Sequence, residues 1–133
     1  MEKTTITQSD LMRFTGDLDR YRHSLNRHVI YTPGVRFLAD RAGAYWLLDA
    51  IAAFVGSRQM ARAAGGDERL KDLQFWRLDV RVDRSAVLTG RADSGEQPFY
   101  MELIPYTDFP LEFADIWAGY DGLHWTLYLP SEH

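Results

Sequence analysis

Cysteine is absent from the 133 residues. That excludes disulfides, thiolate zinc sites and cysteine nucleophiles, and it fits a reducing cytosol. Lysine is scarce: Lys3 and Lys71 stand alone, and the remaining basic side chains are arginine. With 15 basic and 19 acidic side chains the net charge is −4. Such a balance argues against direct nucleic-acid binding, which draws its affinity from a clustered basic face that neutralises phosphates. No apolar run reaches the ~20 residues needed to span a bilayer, and the polar first ten residues do not read as a signal peptide. The expectation is a soluble cytoplasmic protein that does not use the membrane.

Several catalytic signatures are missing as well. No serine stands in a Gly-x-Ser-x-Gly elbow. Gly65-Gly66 is not followed by the Lys-Ser or Lys-Thr of a phosphate loop. His23, His28, His124 and His133 lack the helical pairing of a zinc protease. No metal and no cofactor are expected.

Aromatic residues, by contrast, are plentiful. Four Trp, seven Tyr and seven Phe exceed what a small core usually holds, which places some at the surface or at an interface. The length suits one domain over residues 1–133. Its organising stretch is residues 43–55, Gly-Ala-Tyr-Trp-Leu-Leu-Asp-Ala-Ile-Ala-Ala-Phe-Val. The apolar spacing there is helical, and Asp49 is the only charge.

Before that helix, Thr7 and Asp10 form a helix start, with Gly16 as the stop. Residues 17–27 are charged and mixed, with Asp17, Asp19, Arg20 and Arg22, and read as a short helical turn or an irregular connector at the surface. Val29-Ile30-Tyr31-Thr32 is β-branched and aromatic until Pro33-Gly34 breaks it. Thr32 and Pro33 are placed as N-cap and first residue of a helix through Ala42, with Gly43 as its C-terminal cap. Residues 56–66 are small and polar, Gly65-Gly66 being the clearest breaker, and residues 67–72 add a helical turn.

After Leu73 the period changes from 3.6 to 2. Trp76, Leu78, Val80 and Val82 alternate with Arg77, Asp79, Arg81 and Asp83, as in a strand with one wet face. Further strands follow at residues 86–89, 99–106 and from Phe113. A last strand has Leu123, Trp125, Leu127 and Leu129 facing inward. The fold class is therefore α+β, with N-terminal helices packed on one face of a four- to five-stranded antiparallel meander sheet.

Three runs stand out together: Gly43-Ala44-Tyr45-Trp46-Leu47-Leu48-Asp49, Ile104-Pro105-Tyr106-Thr107-Asp108-Phe109-Pro110, and Leu129-Pro130-Ser131-Glu132. Ser9-Asp10-Leu11, Phe14-Thr15-Gly16 and Tyr31-Thr32-Pro33-Gly34 accompany them. Across nearly the whole chain they resemble a family of small uncharacterised bacterial proteins, a domain of unknown function carried largely on plasmids, integrative elements and phages. His133 stands where that resemblance leads one to expect an aromatic such as Tyr. The resemblance implies context rather than activity: accessory proteins of mobile elements often bind and block a host defence protein.

On this basis the expected function is non-catalytic: an accessory, anti-defence (anti-CRISPR-like) factor whose partner is a host defence protein or complex. Tyr106, Asp108 and Phe109 would present a rigid aromatic loop to it, unless the run is a structural turn with Asp108 on nearby amides. Asp49 is a further partner-facing candidate, unless it reaches the surface or pairs with an arginine such as Arg41. Two alternatives stand beside this reading. One is a small enzyme using Asp49 or Asp108 in a cleft. The other is a single-stranded nucleic-acid binder stacking bases on Trp76, Tyr100, Trp125 or Tyr128, with Arg77 and Arg81 alongside. The aromatic surplus also allows a homodimer.

Overall fold

The structure is a computed structural model that describes residues 6–16 and 19–133; Asp17 of the charged connector and Lys3 lie outside the described residues. Its first helix, α1 (Gln8–Met12), begins at the expected capping box. Thr7 Oγ1 accepts from the Asp10 amide at 3.2 Å, and Asp10 Oδ2 accepts from the Thr7 amide at 2.9 Å. A two-stranded ribbon follows, β1 (Tyr21–Arg22) and β2 (Val29–Tyr31). Helix α2 (Pro33–Ala42) starts on Thr32, whose Oγ1 accepts from the Val35 amide, and ends at Gly43 in the left-handed region, φ 62. Helix α3 (Tyr45–Val55) comes next.

The small polar stretch after α3 carries a helix that its glycines do not announce, α4 (Arg58–Gly66). Ser57 caps it by accepting from the Met60 amide at 3.2 Å, and Met60, Ala63 and Ala64 supply its apolar side. Gly65 and Gly66 end the helix instead of preventing it. A 3-10 turn at Glu68–Lys71 then leads into the strands.

These are β3 (Leu73–Val80), β4 (Ala86–Arg91), β5 (Tyr100–Ile104), β6 (Phe113–Tyr120) and β7 (Trp125–Tyr128). They join β1 and β2 in a seven-stranded sheet of order β1-β2-β7-β6-β3-β4-β5. Helices and sheet together make the α+β class, but the sheet is larger than four or five strands, and it is neither wholly antiparallel nor a simple meander. Strand β6 returns to the far side of β3, and β2 pairs parallel with β7, Val29 opposite Trp125. Two local expectations also shift. Strand β3 ends at Val80 because the Arg81 amide donates to the Ser85 carbonyl and closes a turn, which leaves Val82 fully exposed. Leu123 is likewise exposed, in the turn before β7.

Period 2 along β3 decides which face is dry. Gln74, Trp76 and Leu78 point to the helices and are buried, while Phe75, Arg77 and Asp79 point away. Leu38 of α2 and Leu47, Leu48 and Ile51 of α3 meet Trp76, Leu78, Leu88, Ile116 and Leu127 in one core. Each such side chain contributes ~1.5–3 kcal/mol by leaving water. Gln74, fully buried, is satisfied at both ends: its Nε2 donates to the Leu70 carbonyl and its Oε1 accepts from Trp76 Nε1. Helix α3 is buried on one face only. Its other face brings Asp49 and Ala53 to the surface, and that face builds the site.

Candidate functional site

The connector between β1 and β2 folds back on itself and is stapled to α3. The His23 amide donates to the Val29 carbonyl at 2.9 Å, closing the loop. The His23 ring, 7% exposed, fills its interior. Its Nδ1 accepts from the amides of Leu25 (3.2 Å) and Asn26 (3.0 Å), which places the ring proton on Nε2. Nε2 in turn donates to Asp49 Oδ1 at 2.7 Å. One helical turn further, Asn26 Nδ2 donates to the Ala52 carbonyl at 3.0 Å. Residues 49, 52, 53 and 56 share one face of α3 by helical spacing, so the staples run along that face.

Between the loop and α3 lies a surface groove of about 550 Å³, lined among others by Arg22, Leu25, Arg27, His28, Asp49 and Ala53. It continues through Asn26, His28 and Gly56 into a second hollow of about 500 Å³ lined by Val55, Met60, Lys71, Tyr120, Leu123 and Trp125. Gly56 forms the neck, where an added Cβ would stand 3.3 Å from Asn26 Nδ2. Among the described residues neither the Arg22 and Arg27 side chains nor the His28 ring has an ion pair or hydrogen bond. Of the described residues Asp49 is the only carboxylate lining either hollow, and its side chain is 54% exposed. Leu25 (86% exposed), Leu123 (67%) and Tyr120 (41%) add apolar surface along the same path. Nothing in residues 17–27 beyond alternating charge signalled this, and the partner on α3 lies 26 residues away in sequence.

The other sequence candidates sit elsewhere, and none of Tyr106, Asp108 and Phe109 lines the Asp49 groove. Tyr106 is 70% exposed and Asp108 is exposed, whereas Phe109 is 1% exposed and belongs to the core. Phe109 is therefore an anchor for the loop and not a surface contact. Arg84, in the left-handed region at φ 70, clamps the run from the β3–β4 turn. Its Nε donates to the Thr107 carbonyl and its guanidinium to the Phe109 carbonyl, while its own carbonyl accepts from the Thr107 amide. Asp49 is paired with His23 and not with Arg41. Trp76 and Trp125 are buried and have no ring face free for a base. Tyr100 packs against Trp76, while Arg77 and Tyr128 lie on the outer sheet face.

The remaining distinctive runs meet at one place. Glu132 Oε1 accepts from Thr32 Oγ1 at 2.6 Å and from the Leu129 amide at 3.0 Å, and Oε2 accepts from the Gly34 amide at 3.3 Å. A Cβ on Gly34 would stand 2.6 Å from Glu132 Oε1, so glycine there is what admits the carboxylate. Ser131 Oγ donates to the Leu11 carbonyl at 3.1 Å, tying α1 to the same clasp. Here the carboxylate is at the α2 N-terminus, where free amides and the helix dipole favour negative charge. A hollow of about 280 Å³ beside the clasp is lined by Gly16, Arg20, Thr32, Thr126, Tyr128, Glu132 and His133. His133 Nδ1 and the Tyr128 hydroxyl are 2.9 Å apart.

Among the described residues no group of three or more histidines and carboxylates is placed to hold a metal ion, and no helix is long and apolar enough to cross a membrane. No curated protein and no solved structure matches the chain. A family model does match, over residues 5–133. That span takes in every run described above, and the chain therefore belongs to a family of unknown function, DUF6876.

Proposed function

We propose that this protein is a non-catalytic binding protein, an accessory factor of a mobile genetic element that engages a host defence protein or complex. The mobile-element and anti-defence setting rests on the resemblance of its motif runs. The binding role rests on one observation: the groove between residues 22–28 and α3 leaves the Arg22 and Arg27 side chains without a partner among the described residues, and large apolar side chains exposed along one path. Isolated exposed apolar residues are ordinary, but a connected line of them beside unsatisfied charge is how partner surfaces are built. Asp49, bonded to His23 Nε2 at 2.7 Å, holds the 22–28 loop against α3 from inside the groove. Tyr106 and Asp108, held by the buried Phe109 and by Arg84, form a second, separate contact.

A tagged pull-down from lysate of cells expressing defence systems tests this, with wild type beside Ala53→Tyr and Tyr106→Ala, Asp108→Ala. Ala53 is an exposed helical position, so tyrosine fills the groove without disturbing the core. A discrete partner that wild type captures and folded Ala53→Tyr loses is the expected result. Capture unchanged by both variants would overturn the assignment.

One observation favours a second reading, a small enzyme. The His23–Asp49 pair faces a groove, and a carboxylate oriented by an imidazole is a usable general base. In that case Asp49→Asn abolishes turnover while leaving partner capture intact. Both ring nitrogens of His23 are already committed to loop amides and to Asp49, which weighs for positioning over proton relay.

A further inference from the structure

The groove also specifies what it takes. We infer that its occupant is an acidic segment of a protein partner, with two or more Asp or Glu residues beside one large apolar side chain; this rests on the binding role proposed above. The two hollows differ in character. The first carries Arg22, Arg27 and His28, the second an apolar floor of Val55, Met60, Leu123 and Trp125 with Lys71 at its edge. On a chain of net charge −4, three permanent cations line the two hollows, against one carboxylate, Asp49, among the described lining residues. Asp49 is already occupied by the His23 Nε2–H at 2.7 Å. Lys71 has Glu68 at 3.6 Å, a loose contact with an 88% exposed side chain that a better-placed carboxylate displaces.

Charge complementarity then selects the partner. Arg22 and Arg27 offer planar guanidiniums suited to bidentate carboxylate contacts. The adjoining hollow offers an apolar seat for a Leu, Phe or Trp anchor, the element that carries most binding energy in such interfaces. A nucleic-acid strand fits less well. Its evenly spaced phosphates would cross the apolar hollow with Lys71 alone among that hollow's described lining residues to meet them.

Panning a random peptide library on phage against the folded full chain tests the inference. Enriched peptides are expected to place two or more acidic residues within a few positions of one aromatic or large aliphatic residue. Their synthetic versions should shift the amide resonances of residues 24–28 and 56. The Arg22→Glu, Arg27→Glu variant, both positions exposed, should weaken binding at least tenfold. Asp49→Asn, which keeps an acceptor for His23, should strengthen it severalfold by removing the carboxylate that opposes an acidic ligand inside the first hollow. Neutral or basic enriched peptides, no enrichment, or affinity unmoved by charge reversal would overturn it. So would preferential binding of an oligonucleotide at the groove, or self-association through it by sedimentation. The two proposals fail separately. If Ala53→Tyr loses the captured partner while charge reversal does not, the groove remains the binding site and its acidic ligand is wrong.

Discussion

The clasp at Glu132 and the groove at His28 are opposite treatments of polar groups. In the clasp a single carboxylate satisfies a hydroxyl and two backbone amides, and Gly34 lacks a side chain so that it can. In the groove, two arginines and an imidazole stand beside exposed leucines without any partner among the described residues. The runs that make the sequence recognisable, Tyr31-Thr32-Pro33-Gly34 and Leu129-Pro130-Ser131-Glu132, belong to the first kind. The contrast teaches that a distinctive motif need not be an active one: here it holds two distant parts of the chain together. Groups left without internal partners are the better guide to what the protein meets outside itself.

The same division runs inside the 105–110 loop, and breaking it gives the largest effect. Phe109→Ala should lose about 3–5 kcal/mol of stability through the cavity it leaves, while Tyr106→Ala stays within ~0.5 kcal/mol, both read by urea unfolding. Next comes the clasp. Glu132→Ala strands the buried Thr32 hydroxyl and the Gly34 amide, and it should cost ~1–3 kcal/mol, seen as a drop of several degrees in Tm. An equal Tm for the variant would mean the clasp holds nothing.

A smaller effect tests a polar network distant from both. Arg69 donates to Asp67 and to Glu96 at 2.7 Å each, and these hydrogen bonds hold both carboxyls below their usual range. A lowered folded pKa contributes stability above the unfolded value, near pH 4, and that contribution is lost as pH falls through the folded value. The Tm gap between wild type and Arg69→Ala should therefore be present at pH 7 and narrow as pH falls below the unfolded range and through the lowered folded values. A gap that persists in acid would assign Arg69 a packing role instead. The smallest effect is at the groove: Arg22→Glu, Arg27→Glu should change stability by no more than ~0.5 kcal/mol, while it weakens binding at least tenfold. If that pair proves as costly to the fold as Glu132→Ala, the distinction between clasp and groove falls.

What the sequence revealed was local. Thr7 with Asp10, Thr32 with Pro33, and Gly43 cap helices through contacts a few residues apart, and each cap forms as its residue types predict. The alternation around Trp76 and Leu78 likewise sorted β3 into a dry and a wet face. What stayed hidden is what the whole chain decides. Parallel pairing of β2 with β7 joins residues 29 and 125, and no pattern in either segment names the other. Two glycines at the end of α4 masked a helix that Ser57 begins. The polarity of residues 17–27 was visible, but whether Arg22 and Arg27 found partners depended on where α3 lay. Phe109 read as a surface anchor because it is a rigid aromatic in a distinctive loop run; its carbonyl is held by Arg84, 25 residues earlier, and its ring lies in the core.

The parallel pairing has a consequence for how the protein is made. Strand β2 and helix α2 are synthesised well before β7 and Glu132, yet β2 gains its inner sheet neighbour, and Thr32 its acceptor, only from residues 125–132. During translation the first half of the chain waits with one sheet edge open and the dry face of α3 exposed. Contacts of such long sequence separation form slowly, so the nascent chain carries a sticky intermediate until those residues clear the ribosome. Any ribosomal stall between α4 and β7 should therefore leave a product that seeks a chaperone, not a partial domain able to persist alone.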